Sequence, residues 1–350
     1  MTVQAPVGLP EPSAAAAEDA EAPQPLLRRT VGLLYHANWA GLLVAIVAVC
    51  VAFSLLSPYF ATAGNVANIV RAQAYIGICA SITTIVLIAG GIDLSIGANM
   101  SLSTVIAAQL MSQYHLAWWA AIAITLAVGL GIGLVNGLVI VRIGINALIA
   151  TIATQFLLYG ASYLAGGGAA GDILITNRTF VEFGRGMVLH VPVPGILVIV
   201  SFLVTGWILS RTRFGLQVRA IGGTPNGSAA RLAGVNVARQ RLIVYVLSGL
   251  FSAISGIVLA GYTGSGNSQE AFGVELTVIA AVIIGGTALG GGSGSVFGSF
   301  LGVVLLGVVL DGLLLENVPI SWQYVTQGGA LLVAVVVDEY RRRSQQSTFV

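Results

Sequence analysis

Ten long apolar stretches constrain this chain more than any other feature of its sequence. Each approaches the roughly 20 mostly apolar residues that a helix needs to cross the hydrocarbon core of a bilayer. Only 8% of the residues are charged, whereas a soluble domain carries about 25%, so the chain cannot cover itself with a hydrated surface. We therefore predict an all-α integral membrane protein with about ten transmembrane helices. The predicted spans are approximately 39–57, 71–89, 93–112, 117–139, 146–165, 192–210, 242–262, 274–290, 294–314 and 321–337.

Two places in this pattern are candidates for a broken or re-entrant helix. Only Gly90, Gly91 and Ile92 separate the second stretch from the third, and glycines crowd residues 285–294. Irregular backbone at membrane depth is tolerated only where protein or water surrounds it. Either place would therefore lie inside the protein or beside an aqueous cavity.

The distribution of arginine predicts the orientation of the chain. With ten spans both termini share a side, and a cytoplasmic placement puts twelve arginines inside and only Arg71, Arg178 and Arg185 outside, as the positive-inside rule requires. Residues 1–38, rich in Ala, Pro and Glu, are predicted to form a disordered cytoplasmic tail. Residues 39–338 would form the polytopic transmembrane domain and residues 339–350 a cytoplasmic C-terminal tail.

The ionisable residues exclude several classes of chemistry. All 15 basic residues are arginine, so the chain has no lysine for a Walker A phosphate loop or a Schiff base. The net charge of +2 gives no indication of nucleic-acid binding. Cys50 and Cys79 lie in apolar runs, and the three histidines are isolated from one another, so we predict neither a disulfide framework nor a metal site. No set of catalytic residues is apparent, and the chain is not expected to be an enzyme.

The inner loop 211–241 carries its own helix signals. Thr224 suits an N-cap, Pro225 the first helical position and Gly234 the residue after the helix end. The enclosed segment of about nine residues is far too short to cross a bilayer. An amphipathic helix at the lipid headgroups is one interpretation. The small residues of this segment favour the other, a surface on which a cytoplasmic partner docks closely.

Four ordered sequence blocks resemble the permease subunits of bacterial ABC importers of the ribose, xylose and related monosaccharide type. The strongest is GGIDLSIGANMSL, from Gly90 to Leu102, and GGTPNGSAARLAGVNV, from Gly222 to Val237, resembles the coupling segment of that family. NGLVIVRIGINALIATIAT (136–154) and GGTALGGGSGSVFGSFLG (285–302) match further blocks. The resemblance covers approximately residues 40–340.

This resemblance implies a division of labour between several chains in the bacterial inner membrane. A separate cytoplasmic ATPase would bind ATP and Mg, so this chain itself would bind no cofactor. An extracytoplasmic solute-binding protein would deliver the substrate, and a second permease subunit, in a homodimer, would complete the path across the lipid bilayer. The short cytoplasmic helix would be the coupling helix, contacting the ATPase through residues Thr224, Pro225, Asn226, Ala229, Ala230, Arg231 and Gly234.

Polar residues within the spans are the candidates for the path and for a broken helix. The family signature includes Gly90, Gly91, Asp93, Ser95 and Gly97, and the candidate path residues are Asn99, Gln109, Asn136, Thr151, Gln155 and Tyr159. Asp93 is either a functional ionisable group inside the membrane or a residue that caps a helix start, which the glycines before it favour. Thr151, Gln155 and Tyr159 share one helix face, which would either line a hydroxyl-rich path or join helices.

The alternative function is a self-sufficient, ion-coupled secondary transporter. That class commonly shows internal repeats and charges at the membrane midplane, and neither is evident here. An ABC importer subunit that carries a small polar solute, most likely a monosaccharide in view of the resemblance, remains the leading hypothesis.

Overall fold

The computed structural model describes residues 39–168, 171–224 and 227–347, and most of these residues are helical. The predicted N-terminal tail 1–38, together with Pro225 and Asn226, lies outside the described residues. The helices are α1 (Ala40–Leu56), α2 (Ala63–Ile88), α3 (Ile96–Ser112), α4 (Trp118–Leu138), α5 (Ala147–Ala165), α6 (Arg178–Arg185), α7 (Val193–Arg211), α8 (Arg213–Gly222), α9 (Ser228–Leu232), α10 (Val237–Thr263), α11 (Val274–Ile284), α12 (Val296–Leu315) and α13 (Ile320–Ser347). A π-helical turn, Val139–Ile143, extends α4. The strands are β1 (Ile173–Leu174), β2 (Met187–Val188), β3 (Val191–Pro192) and β4 (Ser265–Gly266).

Among the described residues, six helices are long and apolar enough to cross a membrane: α2, α4 with its π-helical turn, α5, α7, α10 and α12. Three shorter apolar helices accompany them, namely α1, α11 and the part of α13 that covers Ile320–Val336. The predicted all-α membrane class is confirmed. The count of ten spans and the cytoplasmic location of both termini stay predictions.

Several predicted boundaries are corrected, because polar N-cap residues start two helices before the apolar stretches begin. The second span begins at Ala63, where the Thr62 side chain accepts a hydrogen bond from the backbone of Asn65. The seventh begins at Val237, capped by Asn236. At the other end, α13 continues the helix to Ser347, so most of the predicted C-terminal tail 339–350 is helical.

The break between the second and third spans is longer than predicted. Helix α2 ends at Ile88 and α3 begins at Ile96, so that seven residues, rather than three, form the turn. Gly90 in this turn adopts a left-handed backbone with φ +73°. The signature residues Gly91, Asp93 and Ser95 therefore lie in a non-helical turn, with Gly97 in the first turn of α3.

The predicted eighth span, 274–290, is wrong in extent. Helix α11 has only 11 residues and ends at Ile284, which gives a length of about 16 Å, half of a bilayer core. The chain is non-helical on both sides of α11, over 285–295 and over 267–273. The glycine-dense stretch predicted to bend does so, and a second irregular segment, before α11, was not predicted.

Helix α2 runs through the centre of the bundle and α10 packs against it. From Ala74 to Ala89 nearly every residue of α2 is buried, and its apolar side chains form the main core with residues of α7, α11 and α12. Helix α10 contacts α2, α3 and α4. These helices therefore form the frame that positions the polar residues described below.

Glycines allow α4 and α10 to approach closely. A Cβ atom added at Gly129 would lie 2.4 Å from the Ala253 Cβ, and one at Gly133 would lie 2.4 Å from the Tyr245 carbonyl oxygen. At Gly137 the nearest atom would be Cδ1 of Leu242, at 2.7 Å. These three residues repeat every fourth position, so the small-residue face predicted from the sequence packs against α10.

Candidate functional site

Helices α8 and α9, the segment predicted to dock a partner, lie together at one end of the molecule. We call this end the inner end, and the opposite one the outer end, because the arginine distribution predicts that it faces the cytoplasm. Helix α8 begins at Arg213, with the Thr212 hydroxyl accepting a hydrogen bond from the Gly215 N–H at 3.2 Å. Helix α9 (Ser228–Leu232) is five residues long and follows Gly227, which has a left-handed backbone (φ +67°). Pro225, predicted to take the first helical position, lies outside the described residues. Thr224 still contributes one weak capping contact, from Ala229 N–H to its hydroxyl at 3.4 Å.

One predicted docking residue is turned toward the protein itself. Ala230 is only 2% exposed and packs with Ile221 and Val237 in a small apolar cluster. Ile221 belongs to α8 and Val237 to α10, so Ala230 is the α9 side chain that contacts both helices. The prediction that Ala230 faces a partner directly is therefore corrected.

The opposite face of α9 is open. We name Ala229, Arg231, Leu232 and Gly234, all of which are exposed, the α9 surface. Leu232 is 91% exposed, among the largest exposures of any apolar side chain in the described residues. Gly234 ends the segment with φ +80° and has open space around it, so its backbone conformation, rather than its size, requires glycine.

Three backbone segments cross at the inner end and connect α8 to the helix bundle. A Cβ atom added at Gly222, the last residue of α8, would lie 1.8 Å from the Ile88 carbonyl oxygen and 2.5 Å from the Gly292 nitrogen. Gly292 N–H donates to the Ile88 carbonyl at 2.8 Å. We name this meeting of Ile88–Gly90, Gly222 and Gly290–Gly292 the glycine crossing. A displacement of α8 must move α2 or the 285–295 turn with it, because the three backbone segments are in direct contact.

Beside the glycine crossing lies a cavity of about 700 Å³ that has a basic lining. Arg231 and Arg241 line it together with Gly90, Gly91 and Tyr245. Arg178 and Glu182 form an ion pair at the opposite, outer end. The two arginines of the cavity give the inner end a positive surface beside α9.

Asp93 is the centre of a buried hydrogen-bond network that joins four segments of the chain. Its Oδ1 accepts bonds from the Ser95 N–H (3.0 Å) and hydroxyl (2.6 Å), and its Oδ2 accepts one from the Ser248 hydroxyl of α10 at 2.7 Å. Asn136 of α4 donates to the Ser95 hydroxyl at 2.9 Å, and Thr154 of α5 donates to Asn136 at 2.6 Å. Asp93 stands two residues before Ser95, the N-cap of α3, and bonds to Ser95 itself, so its carboxylate fixes the turn before α3 and does not cap the helix. The sequence did not indicate its contact to α10.

The predicted path residues have hydrogen-bond partners inside the chain. Asn99 donates to the Gly249 carbonyl at 3.0 Å, and Gln109 donates to the Ala165 carbonyl. Thr151 bonds to the Ala147 carbonyl of its own helix at 2.8 Å. With Asn136 in the Asp93 network, these contacts join α3, α4, α5 and α10, and the role of these residues in a path stays a prediction.

Glu275 is a polar residue of the interior that sequence analysis did not single out. It is 5% exposed at the start of α11, and its Oε1 accepts a hydrogen bond from Gln155 Nε2 at 2.6 Å. Tyr159, one turn further along α5, donates to the Ala271 carbonyl at 3.4 Å. The shared face of α5 thus contacts the irregular segment 267–273 and α11. The sequence could have indicated Glu275, because it lies at the start of the predicted span 274–290 and an ionisable residue inside a span commonly has a function.

Gly97 of the signature is explained by the same contact. A Cβ atom there would lie 2.1 Å from the Glu275 Oε2 and 2.8 Å from the Ala271 carbonyl oxygen. Gly91 similarly gives room to the Tyr245 hydroxyl, 2.7 Å from the Cβ position. The signature glycines thus permit close approach of other segments of the chain.

The comparisons with known proteins agree with this architecture. A family model described as "Branched-chain amino acid transport system / permease component" matches residues 65–336. The L-arabinose ABC transporter permease protein AraH of Azospirillum brasilense is 36% identical over 310 residues, covering 89% of this chain and 90% of the relative. No solved structure matches the chain.

Two relatives from Escherichia coli (strain K12) give the same result. Its L-arabinose transport system permease protein AraH is 36% identical over 307 residues, which cover 88% of this chain and 92% of the relative. Its ribose import permease protein RbsC is 34% identical over 302 residues, which cover 86% and 93%.

Matches of this length, with the helical architecture, define the class of the protein as a multi-pass permease of the bacterial inner membrane. The chain belongs to the family of ABC transport system permease components. The resemblance predicted from the four sequence blocks is therefore confirmed.

Proposed function

We propose that this chain is the membrane-spanning subunit of an ATP-driven importer that carries a monosaccharide. Two of the relatives are named for L-arabinose and one for ribose, whereas the family description names branched-chain amino acids. The relatives are individual proteins 34–36% identical over 86–89% of this chain, so we take them as the better guide to the solute. An extracytoplasmic binding protein delivers the solute, and two copies of the chain form the path.

The observation that carries this proposal is the α9 surface. An exposed leucine beside Arg231, next to a cavity lined by two arginines, suits an apolar anchor inside a basic rim. Interfaces commonly concentrate their binding energy in such an anchor. ATP and Mg bind to the partner ATPase in this scheme.

The glycine crossing supports a mechanical role for the same segment. When the ATPase pair closes, it displaces α9 and, through the Ala230 contact, α8. Because Gly222 touches Ile88 and Gly292 without intervening side chains, the displacement reaches α2 and the turn before α12. Alternating access then follows from movement of these helices in both permease subunits.

Leu232→Asp tests the docking assignment. A carboxylate on a fully exposed position leaves the fold intact, yet it removes an apolar anchor, and we expect a loss of about tenfold or more in ATPase binding. The measurement is co-purification of the ATPase with the tagged permease from its native membrane, together with solute-stimulated ATP hydrolysis.

Leu189→Asp is the matched control, because Leu189 is 90% exposed at the outer end of the molecule. It should leave ATPase co-purification unchanged. If Leu232→Asp also retains the ATPase, the α9 surface is not the docking site. A chain that purifies alone and moves solute in liposomes on an ion gradient would instead establish a secondary transporter.

A further inference from the structure

The irregular segment 267–273 lies deep within the helix bundle. It follows the outer end of α10, where the Arg185 side chain donates to the carbonyls of Tyr262 and Thr263. By Ala271 the backbone N–H donates to the Ser101 hydroxyl at 3.1 Å. Ser101 is about 16 Å below the outer end of α3 at the usual rise of 1.5 Å per residue. Measured along α3, Ala271 therefore lies about half of a bilayer below the outer end of that helix. The chain reaches this depth with turn hydrogen bonds only, such as the one from the Phe272 N–H to the Gln269 carbonyl at 3.0 Å.

Hydrogen bonds to α3 and α5 supplement the backbone turn bonds of this segment on one side. Thr104 exchanges hydrogen bonds with the backbone of Asn267, both at 3.2 Å. Ser268 donates to the Ser162 carbonyl at 3.0 Å, and Tyr159 donates to that of Ala271. The side of the segment that faces α3 and α5 is thus bonded to these helices.

The other side of the segment is open, and its chemistry is unsuited to lipid. Phe272 is 66% exposed and its ring packs on Tyr159 with centroids 5.3 Å apart. Gln269 is exposed and Glu270 is partly exposed, and Gln269 contacts the Tyr163 hydroxyl. Irregular backbone at the depth of Ala271 cannot face hydrocarbon. Gln269 and Glu270 lie on the outer side of it, beside Tyr163 near the outer end of α5, and an amide and a carboxylate are expensive to place against lipid. The open side must face water or another protein surface.

We propose that the open side of segment 267–273 lines the translocation path and contacts the sugar. Phe272 presents a ring face on which the C–H face of a sugar ring stacks, supported from behind by Tyr159. Gln269 and Glu270 supply an amide and a carboxylate for the sugar hydroxyls, the few placed polar groups that such sites use. This inference rests on the proposed transport of a monosaccharide. It assigns the contact with the sugar to segment 267–273 and not to the path residues predicted from the sequence on α3, α4 and α5.

Cysteine accessibility tests whether the segment faces water. In a chain with Cys50 and Cys79 replaced by serine, we expect Phe272→Cys to react with a water-soluble thiol reagent added to cells. Phe156→Cys is the control, because Phe156 is 72% exposed on the surface of α5 and is expected to face lipid and stay unlabelled. Failure of Phe272→Cys to react overturns the inference, since the open side is then covered by lipid or by tightly packed protein.

Uptake of radiolabelled D-ribose and L-arabinose tests the contact with sugar. We expect Phe272→Leu to lower uptake about two- to tenfold, the scale of one aromatic contact, and Phe272→Trp to retain it, because tryptophan preserves the ring face. Equal uptake by the leucine and tryptophan variants would overturn the stacking role. Thiol labelling and sugar uptake are measured independently of ATPase docking. If both give the contrary result while the ATPase still co-purifies, this inference alone is rejected. If the ATPase does not co-purify with the unsubstituted protein, the proposed function is rejected.

Discussion

At the scale of single residues, glycines mark where side chains from other segments enter. The family signature contains Gly91 and Gly97, and each faces a polar group, the Tyr245 hydroxyl and the Glu275 carboxylate. Neither residue requires a left-handed backbone, so their role is to leave room. Sequence inspection finds such glycines but does not identify which distant side chain fills the space.

Gly97→Ala tests this explanation. The added methyl group would lie 2.1 Å from the Glu275 Oε2 and 2.8 Å from the Ala271 carbonyl oxygen. The carboxylate can rotate away, but the backbone oxygen can move only with segment 267–273, so we expect a destabilisation of about 1–3 kcal/mol. The measurement is thermal unfolding of the purified protein in detergent. Gly131→Ala is the control, since nothing lies within 4 Å of its Cβ position. Equal melting temperatures for both variants would contradict the contact.

At the scale of secondary-structure elements, the irregular turns decide how α8 communicates with the bundle. The seven-residue turn after α2, the end of α8 and the 285–295 turn meet at the glycine crossing. Side chains there would hold these elements apart and allow each to move alone. Direct backbone contact instead couples them, as coupling through packed elements requires.

Gly222→Ala and Gly223→Ala form a matched pair for this coupling. At Gly222 a methyl group would lie 1.8 Å from the Ile88 carbonyl oxygen, whereas at Gly223 the nearest atom, the Arg219 carbonyl oxygen, is 3.4 Å away. We expect Gly222→Ala to reduce solute uptake while the ATPase still co-purifies, because the α9 surface is unchanged. Gly223→Ala should behave as wild type. Normal uptake by Gly222→Ala would show that the crossing does not transmit the motion.

At the scale of the whole molecule, the two ends differ in charge and in form. The inner end carries α8, α9 and the arginine-lined cavity, and the outer end carries α6 and the β2–β3 hairpin. The arginine distribution predicts that α9 lies in the cytoplasm. The two most exposed leucines, Leu232 and Leu189, lie at opposite ends and are suited to testing this orientation.

Single cysteines at these positions, in a chain without Cys50 and Cys79, give the test. We expect a membrane-impermeant thiol reagent to label Leu189→Cys in intact cells and to label Leu232→Cys only after the inner face is exposed in inverted vesicles. The measurement is the extent of labelling on gels. The reverse pattern would invert the predicted topology and remove α9 from reach of a cytoplasmic ATPase.

The sequence by itself determined that this protein lies in a lipid bilayer, that it is helical and to which family it belongs. Long apolar stretches with few charges can be stable only in lipid, and the small residues Gly129, Gly133 and Gly137 share a helix face by periodicity alone. The four ordered sequence blocks indicate the permease family without any knowledge of the fold. These properties depend on local composition and spacing, which a single sequence contains.

Only the tertiary structure decided which residues meet. It placed Ala230 inside rather than on the α9 surface, paired Glu275 with Gln155, and packed the irregular segment 267–273 against α3 and α5. Periodicity predicts that a residue is buried but not which neighbour buries it. In segment 267–273, Ser101, Thr104 and Ser162 supply hydrogen-bond partners from distant parts of the chain in addition to the turn bonds of the segment itself. Such contacts form only when the bundle has folded, so they could not be obtained from local sequence.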